Sequence, residues 1–197
     1  MFVVTADQRA SRRHGDGVPA ALAGLGSSPL PGLVLGFERT AGDEIQGVLA
    51  EPGGVVETVT RLARLGGWRV GIGVGAVDRP LASHARAASG PAFVAARRAV
   101  EDARGVPGAV AVRAADQDRA ARRADAAVVL LAAVLGRRSA AGWEATQLVA
   151  SGLTGAAAAD ALGISPSAVS QRLRAAGADE AARAQWLAVD LLGDADR

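Results

Sequence analysis

Neither cysteine nor lysine occurs among the 197 residues. The first absence excludes disulfides, thiolate metal sites and cysteine nucleophiles, and it suits a reducing compartment, so a cytoplasmic protein is expected. The second removes lysine-based chemistry and leaves arginine as the only basic side chain in the formal count of 22. Aromatic residues make up only 3% of the chain. Neither Phe2 nor the run Val70 to Val77 supplies the aromatics on which an RNA-recognition sheet stacks bases. Long apolar runs are missing as well. The longest, Ala126 to Leu135, falls far short of the roughly 20 residues of a membrane span, and the N-terminal run meets Asp7 too early for a signal peptide. A soluble, unsecreted protein with no membrane partner is expected.

Half the residues are hydrophobic, enough for one medium domain and a small one. The net charge of +2 hides local sorting. Arginines cluster at Arg9, Arg12 and Arg13, at Arg119, Arg122 and Arg123, at Arg137 and Arg138, and at Arg172 and Arg174, so patches rather than net charge must attract a polyanion.

The run Phe2 to Ala6 reads as a strand that ends on Asp7, followed by the donor-rich segment Gln8 to Gly15, a candidate phosphate-facing loop, and a helix over Val18 to Leu25. The runs Leu33 to Phe37 and Ile45 to Leu49 flank Thr40-Ala-Gly-Asp-Glu44, which predicts a hairpin with Gly42 at the turn and Asp43 and Glu44 beside it. If the first strand pairs beside this hairpin, Asp7 and Asp43 converge, and two such carboxylates suit Mg2+ or Mn2+ holding phosphate. The same acids also fit plain turn and strand-end roles.

An amphipathic helix follows over Val55 to Leu65, with Gly66-Gly67 ending it. Trp68 to Val77 alternates glycine with β-branched residues, a strand with one bare face for a packed helix or a flat ligand. After a loop over Arg79 to Gly90, Pro91 opens a helix with Phe93, Ala96 and Val100 inward and Arg97, Arg98, Glu101 and Arg104 outward, and Ala109 to Val112 reads as a short strand. This order is that of an α+β, ferredoxin-like, cyclase- or polymerase-palm-like sheet, largely antiparallel, with its helices on one face. A long helix over Asp116 to Leu135 either covers that core or joins subunits, and Gly136-Arg-Arg-Ser139 marks a boundary. The expected organisation is a palm-like domain over 1–115, a linker helix over 116–138 and a small all-α domain over 139–197.

In the last part, Thr154 is placed to cap a helix over Gly155 to Leu162, Gly163 allows a turn, and Ser165-Pro166 opens a second helix that Gly177 closes. Ala159 is small where the helices cross, and Leu162, Ile164, Val169 and Leu173 are spaced to fill the core between them. Trp143, Leu148 and Leu153 before the unit, and Trp186, Leu187, Leu191 and Leu192 after it, are expected to supply flanking helices and their core. Ser165, Ser167, Ser170, Gln171, Arg172 and Arg174 offer groups suited to phosphates and major-groove base edges. The run Ala159 to Leu173 resembles the helix-turn-helix of sigma-factor-like and response-regulator-type DNA-binding domains. That resemblance implies duplex DNA as partner, while a protein-contact hairpin remains the other use of the same helices.

Four blocks in the first part, Ala6 to Arg12, Thr40 to Gly47, Val70 to Gly75 and Ser89 to Arg97, together look like the SatD-like bacterial proteins. These are similar in plan to the palm domains of class III nucleotide cyclases and GGDEF diguanylate cyclases. Ala41-Gly-Asp-Glu-Ile45 matches the GGDEF pattern at its three central positions and departs from it at both ends. The resemblance implies Asp7 and Asp43 as metal ligands, with Glu44 as an alternative, and a nucleotide site that takes in Asp7, Arg9, Ser11, Arg12, Gly42, Asp43 and Glu44. The function expected is a DNA-binding transcriptional regulator whose palm binds a nucleotide or cyclic nucleotide and sets the spacing of a homodimer. An active cyclase or nucleotidyltransferase is the alternative, and a palm that only dimerises is a third reading.

Overall fold

A computed structural model describes residues 1–116 and 119–197, apart from the side chains of Arg12 and His14. It is a mixed α+β protein built on a sheet in the order β2-β3-β1-β4-β5. The strands are β1 (Phe2–Gln8), β2 (Leu33–Arg39), β3 (Glu44–Leu49), β4 (Trp68–Val74) and β5 (Val110–Ala114). β1 lies at the centre, antiparallel to β3 and β4; β2 is antiparallel to β3, and β5 is parallel to β4. Because β1 is covered on both faces, its sequence is an almost unbroken apolar run rather than an alternation. Phe2, Val4 and Ala6 enter one core and Val3 the other.

The helices divide between those two faces. On the first lie α2 (Val18–Leu25), α3 (Pro52–Leu65), α5 (Arg119–Leu135) and α9 (Ala178–Ala195), which share a core with Ile45, Leu49, Val70, Ile72, Val110 and Val112. On the second lies α4 (Pro91–Asp102), over Gly71 and Gly73. The expectation of helices on one face is therefore corrected. The bare glycine face is occupied by α4 backbone, since a Cβ on Gly71 would lie 2.3 Å from Val100 N and one on Gly73 2.0 Å from Ala92 O. No base or phosphate can lie on that stretch of β4. The predicted faces of α4 hold, with Ala96 and Val100 buried and Arg97, Arg98, Glu101 and Arg104 exposed.

Several boundaries also move. α3 starts at Pro52, β4 stops at Val74, β5 runs from Val110 to Ala114, and the loop over 79–90 contains a short 3-10 turn at Ala85–Ala87. α5 begins at Arg119, with Asp116 in a turn before it; the predicted helical start at 117 and 118 lies outside the described residues. The four-residue α1 (Ser11–His14) occupies part of the expected phosphate loop.

Beyond α5 come α6 (Ala140–Ala150), α7 (Gly155–Leu162) and α8 (Pro166–Ala175), whose small core joins Ala158, Ala159 and Val169 to Leu148, Leu153, Leu162, Ile164 and Leu173. α9 does not close that core. It runs back along α5 and α3, with Leu191 and Leu192 buried in the main core, while Trp186 is 72% exposed and Leu187 is exposed too. Trp143 likewise packs on the main core. Among the described residues no single helix is long and apolar enough to cross a membrane.

Candidate functional site

Two regions carry the predicted site residues. The first is the edge where β1 ends beside the β2–β3 hairpin. Residues Thr40 to Asp43 form the tip, with Gly42 at φ 56, a left-handed conformation that favours glycine. Thr40 N–H donates to Glu44 O at 3.0 Å and Glu44 N–H to Ala41 O at 2.9 Å. The Thr40 hydroxyl donates to Glu44 Oε1 at 2.5 Å. Arg39 spans the tip, donating from Nη1 to Gly42 O at 2.8 Å and from Nη2 to Asp16 Oδ2 at 2.5 Å. Gln8 N–H donates to Asp43 O at 3.2 Å, which pins the tip to the end of β1.

Asp7 stands opposite Glu44 on one side and Arg69 on the other. Side chains alternate along a strand, so these three share a face with Thr5 and the buried Gln46, whose amide donates to the Thr5 hydroxyl at 2.8 Å. Arg69 Nη1 donates to Asp7 Oδ2 at 2.6 Å. Even so the Asp7 carboxyl titrates above the ordinary 3.8: burial raises it most, the charge of Asp43 next, and a hydrogen bond with Asp43 and the charge of Glu44 add to this, against the lowering by Arg69. Asp7 and Asp43 are thus brought together as expected, with Glu44 nearby. The oxygen-only set suits Mg2+ or Mn2+, which take one or two carboxylates and complete their shell with phosphate and water. Among the described residues no group of three His, Asp or Glu side chains is arranged to hold an ion without such help.

The remaining residues of this region are less concentrated. Arg9 is exposed, and its N–H donates to Gly67 O at 2.7 Å. Ser11 is half-buried in α1, and the Arg12 side chain lies outside the described residues. The Gln8 side chain is used locally, donating to Gly15 O and accepting from Gly17 N–H, both at 2.8 Å.

The second region is the helix pair α7–α8. Thr154 Oγ1 accepts from Ala157 N–H and Ser165 Oγ from Ala168 N–H, both at 3.2 Å, so both predicted caps are in place. Gly163, in the left-handed region at φ 63, turns the chain between them. No family model, curated protein or solved structure matches the chain. What α8 can do therefore rests on its own surface. Ser165, Ser167, Ser170, Gln171 and Arg174 are exposed. Ser165 and Ser167 lie 3.0 Å apart through their hydroxyls, and Ser170 donates to Pro166 O at 3.1 Å. Arg172 is half-buried and reaches Glu144 Oε2 at 3.4 Å. Gln171 and Arg174 make no side-chain hydrogen bond or ion pair among the described residues, so both keep their full donor sets for an outside partner.

Sequence reasoning missed three contacts. Arg69 on Asp7 is the first; a lone arginine in an apolar strand was its signal. The Asp16–Arg39 pair is the second. The third is Arg138, which lies over the Trp143 ring at 4.8 Å and donates from Nε to Ala176 O at 2.8 Å, tying the end of α8 to the α5–α6 corner. Burial holds the Arg138 guanidinium below its ordinary range.

Proposed function

We propose that this chain is a cytoplasmic DNA-binding transcriptional regulator whose N-terminal domain, a ferredoxin-like palm of the nucleotide-cyclase kind, binds a nucleotide or cyclic nucleotide with Mg2+ or Mn2+. The observation that carries the DNA half is the free, polar outer face of α8 on a doubly capped helix pair. A recognition helix needs outward donors with no internal partner, and Gln171 and Arg174 meet that need. Arg172 contacts phosphate in this reading, after release from the exposed Glu144, a pair of the kind worth little in water. Ser165, Ser167 and Ser170 line the same surface. Binding as a homodimer sets the two α8 helices about 34 Å apart, in successive major grooves.

The nucleotide half is supported by the antiparallel order β2-β3-β1-β4, which is that of a ferredoxin-like sheet, and by the meeting of Asp7 and Asp43 at one edge. A divalent ion there relieves the Asp43 repulsion that adds to burial in raising Asp7, and the nucleotide phosphates complete its shell. Arg9 and Arg12, which follow Asp7 in the chain, are the cations assigned to those phosphates in this reading, together with Ser11 and Gly42.

The DNA reading is tested by fluorescence anisotropy on fragments selected by genome-wide pull-down. Arg174→Ala and Gln171→Ala should each weaken the selected site about tenfold, within the roughly 1 to 3 kcal/mol of a base contact. Sequence-blind binding that neither substitution alters would sink it. The nucleotide reading is tested by calorimetry with ATP, GTP and cyclic nucleotides in Mn2+. Asp7→Ala and Asp43→Ala should each weaken binding at least about tenfold, and unchanged binding in both variants would refute the site. The same carboxylate pair also favours the enzyme reading, so product formation is followed in parallel. Sustained turnover to cyclic or linked nucleotides would replace the regulator with a cyclase or nucleotidyltransferase.

A further inference from the structure

On the far side of Gly66-Gly67 from α2, a cleft of about 580 Å³ opens between the end of α3, the start of β4, the turn at 106–109 and the last turn of α5. Its size falls among small-molecule sites, and it is far larger than the voids a close-packed interior leaves. The walls are mainly apolar, with Val59, Ala63, Pro107 and Ala133 among them, and among the described residues the only charged side chains of its lining are Arg9 and Arg137. Both are exposed, and neither side chain makes a hydrogen bond or ion pair among the described residues. Gly108, at φ 78, brings backbone rather than a side chain against α5, since a Cβ there would lie 2.6 Å from that of Ala132.

The field of the cleft can be weighed. α3 and α5 both end at it, and a helix C-terminus carries about half a negative charge. Some of the terminal carbonyls are already engaged: Gly66 N–H donates to Leu62 O at 3.0 Å and Gly136 N–H to Ala132 O at 2.8 Å. Two full positive charges against two partial negative ones leave the site positive. A cation is therefore disfavoured, and a neutral apolar body would leave both guanidinium groups without a use.

We infer that this cleft binds an amphipathic anion, a small carboxylate, sulfonate or phosphate with an apolar body, held at its charged end by Arg9 and Arg137. This site shares Arg9 with the proposed nucleotide function, on which it does not rest, and its lining includes none of Asp7, Asp43 and Glu44. The probe is 1-anilinonaphthalene-8-sulfonate, titrated into the full chain by fluorescence, with decanoate and decanol as competitors. One saturable site is expected, displaced by decanoate and not by decanol. Arg9→Gln/Arg137→Gln should weaken it at least about tenfold, since both partners of the anion are lost. Ala63→Leu and, independently, Ala133→Leu fill the apolar wall and should abolish it in whichever variant keeps a cooperative urea transition. Asp43→Ala should leave it unchanged, which separates a failure here from a failure of the nucleotide reading. Non-saturable binding, equal displacement by decanol, or unaltered affinity in the double arginine variant would overturn the inference.

Discussion

Asp7 and Asp16 are carboxylates with opposite effects on stability. The folded pKa of Asp7 is raised by burial and by Asp43, so the folded state holds its proton more tightly than the unfolded chain does. Its contribution is fully present below 3.8, is lost as pH rises through the raised folded value, and stays lost at neutrality. Asp16 is held below 3.8, chiefly by its hydrogen bond from Arg39, so its contribution is present above 3.8 and lost as pH falls through the depressed value. We therefore expect Asp7→Asn, whose amide oxygen still accepts from Arg69, to unfold at an equal or higher urea midpoint than the parent at pH 7, with any gain gone below pH 3.8. Asp16→Asn should unfold at a lower midpoint at pH 7 and coincide with the parent in acid. Urea titrations between pH 3 and pH 7 check both, and slopes of the same sign would contradict the assignment. The two acids were legible as a strand-end and a hairpin residue, and their meeting only on the condition, met here, that β1 pairs beside the hairpin. Arg69 was not, because its place beside Asp7 follows from the antiparallel pairing of β1 with β4 across many residues.

At the scale of elements, β4 and α4 pack backbone against backbone. Gly73 has Ala92 O and Ala96 N where its side chain would stand, at 2.0 and 2.4 Å. Both are helix backbone and cannot rotate away. Gly73→Ala should therefore cost at least about 3 kcal/mol, the upper end of ordinary overpacking. Gly42→Ala, at φ 56 with nothing within 4 Å of the added carbon, should cost only about 1 kcal/mol. Chemical denaturation of the two variants checks the order, and a cheaper Gly73→Ala would mean that α4 lifts from the sheet. The alternation of glycine with valine and isoleucine is enough on its own to disclose a bare face. It does not disclose that α4 crosses to that face while α3 stays on the other, since the right-handed crossover into the parallel strand β5 decides the side and β5 is short and weakly patterned. The capped helices α7 and α8 were legible almost to the residue, because caps, turn glycine and apolar spacing all lie within two dozen positions.

For the molecule as a whole, the main departure is α9. Its leucines read as the core of the last domain, yet Leu191 and Leu192 complete the core beneath the sheet, Gln185 Nε2 donates to Thr60 Oγ1 at 3.3 Å on α3, and Asp196 pairs with the Met1 amino group. An apolar stripe states that a helix will be covered and not by what, so no periodicity could separate the two partners. The helix pair is consequently anchored to α5 where α8 ends, through Arg138 of the α5–α6 corner on Ala176 O and through Gly177, which packs on Val134. This return of the chain also bears on synthesis. While the ribosome makes the helix pair, α5 waits without α9, the helix that packs along it, for several seconds at ordinary elongation rates. The helix pair can close before its host does, and the host core is sealed only when the last helix emerges and folds back.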